Sequence, residues 1–203
     1  MGKAGNFRKT LWLVAVFNLT LAFGLSSQDN PLPAQQKISA PGRYHGDSAP
    51  VYSEYVRSSQ YIAARDGTRL AVDIYRPSLG GKPVSEPLPV IWTFTPYRRA
   101  FKLPDGRLIT QMQQMPWLET VIKHGYVIAA ADVRGYGASF GVSTGVFGPE
   151  EAADAYDIVE WLAAQPWSTG KIGMCGVSYQ GLTQLLAAST GPPHLAAIMP
   201  DMV

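Results

Sequence analysis

The chain has 203 residues, 46% of them hydrophobic and 16% charged, an ordinary globular composition with length for one domain. A formal net charge of +2 is too small to point to nucleic acid, and the basic residues are scattered apart from Arg98, Arg99, Lys102 and Arg107, a cluster expected in a solvated loop. One cysteine, Cys175, excludes an internal disulfide, so a buried core has to hold the fold.

Lys3, Arg8 and Lys9 precede an apolar run from Leu11 to Leu25, interrupted only by Asn18, Thr20 and Gly24 and followed by Ser26 and Ser27. This is the pattern of a secretory signal peptide over 1–27, with cleavage near residues 24–27. The run falls short of the roughly 20 residues of a permanent span. A secreted or periplasmic chain, with no stable membrane span after cleavage, is therefore expected. Residues 28–50, with Pro31, Pro33, Pro41 and Pro50, form an expected Pro-rich arm ahead of a globular region over 51–203.

Within that region β-rich runs at 51–64 and 68–76 flank Asp66-Gly67, a hairpin signal. Prolines and adjacent glycines mark 77–89 as a surface loop, and Leu88 to Thr95 is a short apolar strand ending at Pro96-Tyr97. Residues 108–124 have helical spacing up to Gly125. Tyr126 to Ala131 fits a strand covered on both faces, and a glycine-rich loop follows from Arg134 to Gly141. An amphipathic helix is expected over 149–164. Its acids Glu150, Glu151 and Asp154 suit the positive end of the helix dipole better than a metal site or a glycosidase carboxylate pair. A strand before Ser178, a helix over 179–189, a Gly191-Pro192-Pro193 breaker and a last strand over 195–200 complete the order.

Alternation of this kind predicts an α/β fold, a mostly parallel sheet with helices on both faces. Right-handed crossovers then bring Thr95-Pro96-Tyr97, Asp132 to Gly137, Ser178-Tyr179 and Asp201 to one sheet edge, where ligands of open α/β sheets bind. The run Lys171-Ile172-Gly173-Met174-Cys175-Gly176-Val177-Ser178-Tyr179-Gln180-Gly181 reads as buried strand, glycine-flanked serine and helix start, the way a hydrolase elbow presents a nucleophile. Ser178 is the candidate nucleophile, against an ordinary strand–helix turn. The backbone N–H of Tyr179 is the expected first oxyanion donor. Tyr97 is a candidate second donor through its hydroxyl, against a packed loop aromatic. Cys175 is expected in the core. Gly173, Gly176 and Gly181 with Asp201 do not have dinucleotide-loop spacing, and no cofactor motif or metal-ligand cluster is present in the sequence.

At these residues the chain resembles the N-terminal part of the CocE/NonD serine hydrolases, the group with cocaine esterase, X-Pro dipeptidyl-peptidases, α-amino-acid ester hydrolases and glutaryl acylases. Four segments carry the likeness: Thr95-Pro96-Tyr97, the stretch from Asp132 to Ser139, the stretch from Asp154 to Ser168, and Gly173 to Gly181 with its G-x-S-Y-x-G elbow. The resemblance implies an α/β-hydrolase core that hydrolyses a small ester, amide or short peptide through an acyl-enzyme on Ser178. It implies Tyr97 and Tyr179 as oxyanion donors, and a structural role for Asp132 and Arg134. The family's triad acid and histidine match nothing here. His45 falls in the arm, His124 ends a helix on the far edge, and His194 lies about 15 Å of helix away from Ser178. Asp201 is at the correct edge but is read as a loop or cap residue. The expectation is an N-terminal fragment, cut after the strand that follows the nucleophile helix, whose activity belongs to the parent enzyme; the alternative is an inactive or binding-only remnant.

Overall fold

The computed structural model describes residues 39–40, 43–44 and 48–203. The expected signal peptide, His45 and most of the expected arm lie outside them. Within the N-terminal unit, 1–46, Ser39–Ala40 (β1) and Arg43–Tyr44 (β2) pair antiparallel, two short strands in a stretch read as irregular. All other described residues belong to the second unit, 47–203.

That unit begins with the expected hairpin, Glu54–Ala63 (β3) against Arg69–Leu79 (β4). Asp66 Oδ1 accepts the Thr68 N–H at 2.9 Å, and Gly67 turns the chain at φ +82°. The region 77–89 is more ordered than a loop. β4 runs on to Leu79, turns at Gly80-Gly81 with φ of +58° and +74°, and pairs with Lys82–Pro83 (β5). Two adjacent positive-φ residues make the turn that suits strand twist. Leu88–Thr95 (β6) follows as expected.

The stretch 108–124 is not one helix. Ala100–Lys102 (β7) pairs with Leu108–Thr110 (β8), and the helical part is split into Gln111–Gln114 (α1) and Leu118–Lys123 (α2). Pro116 is the cause: it has no N–H to donate and disfavours a helical Met115, which sits at φ −130°. Val127–Asp132 (β9), Pro149–Ala163 (α3), Ser168–Val177 (β10), Tyr179–Ser189 (α4) and Leu195–Asp201 (β11) complete the unit.

The sheet order is β11-β10-β6-β9-β4-β3. β11, β10, β6 and β9 are mutually parallel, while at one side β4 runs antiparallel to both β9 and β3. Side chains alternate between the two faces, as period-2 geometry requires. Val90, Trp92, Phe94, Ala129 and Ala131 face Ile158, Val159 and Leu162 of α3 and Ala187 of α4. Ile128, Tyr75 and Cys175 join Met112 of α1 and Leu118 and Ile122 of α2 on the other face. The sheet is therefore covered on both sides, and Cys175 is a core residue whose thiol burial pushes up to about 12. No helix among the described residues is long and apolar enough to cross a membrane.

Candidate active site

Parallel strands end together, so β6, β9, β10 and β11 deliver their C-terminal ends to one edge. Ser178 stands between β10 and α4, exposed, at φ +58° and ψ −122°. That conformation is sparsely populated for a residue with a Cβ and costs on the order of 1–3 kcal/mol, so its surroundings have to impose it. Asp201 O accepts the Ser178 N–H at 2.9 Å, and Ser178 O accepts Gly181 N–H at 2.8 Å and Leu182 N–H at 2.9 Å. The flanking glycines allow this packing. A Cβ on Gly176 would lie 2.4 Å from Gln180 Cβ, and one on Gly181 would lie 2.8 Å from Asp201 O. Asp201 is thus the last residue of β11, and it holds the elbow through its main chain.

The buried polar face of α4 fixes the helix that carries Tyr179. Thr183 Oγ1 donates to Phe94 O at 3.2 Å, Gln184 Nε2 to Gly176 O at 3.3 Å, and Gln184 Oε1 accepts Met199 N–H at 2.8 Å. These bonds tie α4 to the ends of β6, β10 and β11. The N–H of Tyr179 opens α4, where a helix has no internal acceptor for its first amides.

Tyr97 arrives from the end of β6. Its hydroxyl lies 3.3 Å from Ser178 Oγ, and its own N–H donates to Thr95 Oγ1 at 3.0 Å. The 3.3 Å separation exceeds the usual 2.5–3.0 Å or so of an O–H···O bond, so the two groups are in reach without being locked together. The three residues singled out in the sequence, Ser178, Tyr97 and Tyr179, are therefore one cluster. The rings of Tyr97 and Tyr179 meet edge to face, 6.4 Å between centroids.

The loop bearing Tyr97 is clamped from below. Asp132, fully buried at the end of β9, accepts Arg99 N–H at 2.7 Å, Arg99 Nη1 at 2.5 Å and Ala138 N–H at 2.9 Å. Arg99 Nε continues to buried Asp73 at 3.1 Å, which Ser59 also donates to. Arg99 is thus withdrawn from solvent into a relay between two carboxylates, which corrects the solvated-loop expectation for that residue; Arg98, Lys102 and Arg107 are exposed. Arg134 forms a fork with Asp154 at 2.9 and 2.6 Å and reaches Asp66 at 2.6 Å, joining the glycine-rich loop to α3 and to the first hairpin. Those hydrogen bonds hold the Arg134 guanidinium's pKa above its ordinary value, Asp154 first, and Arg134 holds the Asp66 carboxyl well below its own. Asp132 and Arg134 act on the fold.

Two further residues at the site were missed in the sequence. Glu151 is buried, not merely a dipole partner at a helix start. Its Oε2 accepts the Tyr179 hydroxyl at 2.9 Å and the Phe147 N–H at 3.0 Å, and the Phe147 ring lies against Tyr179, 4.3 Å between centroids. Burial pushes the Glu151 carboxyl up, opposed by those two donors. Burial and the bond to Glu151 raise the Tyr179 phenol in turn. The signal in the sequence was Glu151 itself, in the first turn of an otherwise amphipathic helix.

The histidines stand elsewhere. His124 caps α2, with its ring nitrogens 2.7 Å from Thr120 O and 2.9 Å from Ser48 O. His194 precedes β11, at the opposite end from Ser178, and its Nδ1 lies 2.7 Å from Glu160.

Residues 66–203 match the X-Pro dipeptidyl-peptidase family, S15. The cocaine esterase of Rhodococcus sp. is 40% identical over 149 residues, covering 72% of this chain and 23% of that enzyme. A CocE/NonD family hydrolase from Staphylococcus aureus superposes with a TM-score of 0.60 at 29% identity, over 73% of this chain and 28% of that one. An α-amino acid ester hydrolase superposes with a TM-score of 0.59 at 27% identity, over 76% of this chain and 26% of the other. The chain thus spans about a quarter of the length of these relatives.

Proposed function

Because the chain belongs to the X-Pro dipeptidyl-peptidase (S15) family, we propose that Ser178 is the nucleophile of an acyl hydrolase and that the residues described here form its nucleophile and oxyanion half. The observation that carries the reading is the strained, exposed Ser178 with the Tyr97 hydroxyl 3.3 Å from its Oγ. Ser178 Oγ attacks the carbonyl carbon of an ester or amide. The carbonyl oxygen gains charge and is met by the Tyr97 hydroxyl and the Tyr179 N–H, donors set in place before reaction. The C–O or C–N bond then breaks, the leaving group takes a proton, and water hydrolyses the acyl-serine.

Ser178 is a weak nucleophile until a base takes its proton. Neither His124 nor His194 is placed for that. We assign the base and its acid partner to polypeptide outside residues 48–203, and the activity to the full-length protein. The substrate class is a small ester, amide or short peptide. Export to the periplasm or medium is part of the proposal and rests on the pattern of residues 3–27.

In the full-length protein, Ser178→Ala should abolish ester hydrolysis and prevent covalent labelling by a fluorophosphonate; hydrolysis at the wild-type rate would remove Ser178 from the mechanism. Tyr97→Phe should lower kcat by roughly 10²–10³ with the labelling site intact. An unchanged kcat would leave Tyr97 a packing residue.

A further inference from the structure

The loop ahead of α3 holds one residue in a conformation its side chain disfavours. Phe147 sits at φ +58°, in the left-handed region where a bulky residue is a true outlier. Such strain persists only where neighbours impose it, and two do. Glu151 Oε2 accepts the Phe147 N–H, and the Phe147 ring lies on Tyr179 with the planes tilted by 32°. Glu151 Oε2 also takes the Tyr179 hydroxyl, so one buried oxygen sets both rings. Tyr179 in turn meets Tyr97, which touches Ser178. Three aromatic rings therefore run outward from the nucleophile, and the outermost, Phe147, is only half-buried. Tyr97 and Tyr179 have work at the oxyanion. Phe147 has none, yet its backbone is held against its preference.

Resting on the acyl-hydrolase reading above, we propose that Phe147 is a specificity-determining residue whose ring stacks on an aryl group of the substrate, with Glu151 as its positioning residue. The polar tip of Tyr179 is engaged by Glu151, so what this side of Ser178 offers is ring surface. Offset or edge-on aromatic contacts stabilise beyond area burial, which favours an aryl group over an alkyl chain of equal size. The aryl group belongs either to the acyl part or to the leaving group.

The test uses the full-length protein and three esters: methyl benzoate, phenyl acetate and ethyl acetate. Phe147→Gly removes the ring and accepts a positive φ, and Phe147→Leu keeps apolar volume without a π face. Each aryl ester is compared with ethyl acetate as a ratio of kcat/KM values, so a partly folded sample does not alter the reading. For one aryl ester the ratio should fall about threefold to tenfold in both variants. A fall with methyl benzoate places the aryl group in the acyl half, and a fall with phenyl acetate places it in the leaving group. Glu151→Ala should lower the same ratio, and Glu151→Gln, which keeps an acceptor oxygen, should restore it. Ratios unchanged in an active enzyme overturn the assignment of Phe147 and leave the hydrolase reading standing. A wild-type protein that hydrolyses none of the three but is labelled at Ser178 by a fluorophosphonate overturns the assignment of Phe147 alone, and one that is not labelled either overturns both.

Discussion

Asp132 and Glu151 are buried carboxylates at the same end of the sheet, and each holds a loop beside Ser178, but in opposite electrostatic settings. Asp132 uses both oxygens: Oδ1 takes the Arg99 N–H, while Oδ2 takes the Arg99 guanidinium and the Ala138 N–H. Its charge is answered by Arg99, and Arg99 is shared with Asp73. Glu151 uses one oxygen for two donors, neither of them a cation, and its Oε1 has no partner among the described residues. A compensated buried carboxylate makes a rigid clamp, because removing it takes away half of the cation's compensation and leaves its buried donors without a partner. An uncompensated one is tolerated at a cost to the fold, and its protonation is set by burial. The loop carrying Tyr97 has the first kind of anchor, which also takes the near end of the β9–α3 connection at Ala138, and the Phe147 end of that connection has the second.

The largest effect should come from breaking the compensated clamp. Asp132→Ala leaves the Arg99 guanidinium facing Asp73 alone and frees the Arg99 and Ala138 amides. Losing one partner of a buried pair costs about 3–5 kcal/mol. Urea denaturation of the full-length protein reads it, and a loss under about 1 kcal/mol would erase the distinction between the two anchors. Two glycines of the connection between β9 and α3, one against each anchor's end of it, sharpen the contrast. A Cβ on Gly137 would sit 2.3 Å from Asp132 Oδ2, and its φ is +55°. Gly137→Ala should cost about 1–3 kcal/mol through that overlap. Gly145, in the loop that Glu151 holds, has room for a side chain, with no atom within 4 Å of where a Cβ would stand, and no positive φ. Gly145→Ala should therefore leave the stability within about 0.5 kcal/mol of wild type. Equal losses at the two positions would mean that the two ends of that connection are packed alike.

The two anchors also differ in how far they could be read in advance. Local signals located the elements well. The breaker at Gly191-Pro192-Pro193 and the glycines round Ser178 bounded α4 at the observed 179–189, and the apolar run 88–95 is β6. Reading failed where one residue outweighed a pattern: Pro116 splits the helical spacing of 108–124, and Gly80-Gly81 makes a hairpin of an apparent loop. Ser178 and Tyr179 were singled out because an elbow needs its glycines nearby in sequence, and Tyr97, 81 residues from Ser178, by its place at the end of the preceding strand and by the family resemblance. Arg99 and Glu151 were not, since their partners are remote. Arg99 meets Asp73 and Asp132 across 26 and 33 residues, and Glu151 meets Tyr179 across 28. A basic cluster and an acid at a helix start each have an adequate local explanation, and only tertiary packing supersedes it.

The smallest effect is the one that tests whether Glu151 is truly uncompensated. Its folded carboxyl is raised above the ordinary value, by burial first. The folded state then keeps its proton to a higher pH than the unfolded state does. From the ordinary carboxyl value, about 4.3, up to the raised folded value, the unfolded chain has already released the proton, so stability falls with rising pH. Glu151→Gln keeps an acceptor for Tyr179 and Phe147 and has no proton to release, so its stability carries no such slope. The variant should therefore gain on wild type as pH rises through that window, and below it the difference between the two should no longer change with pH. Thermal midpoints of both proteins between pH 4 and pH 7 measure the difference. A difference that stays constant over that range would mean that the carboxylate has compensation beyond Tyr179 and Phe147, and Glu151 would then be a clamp of the same kind as Asp132.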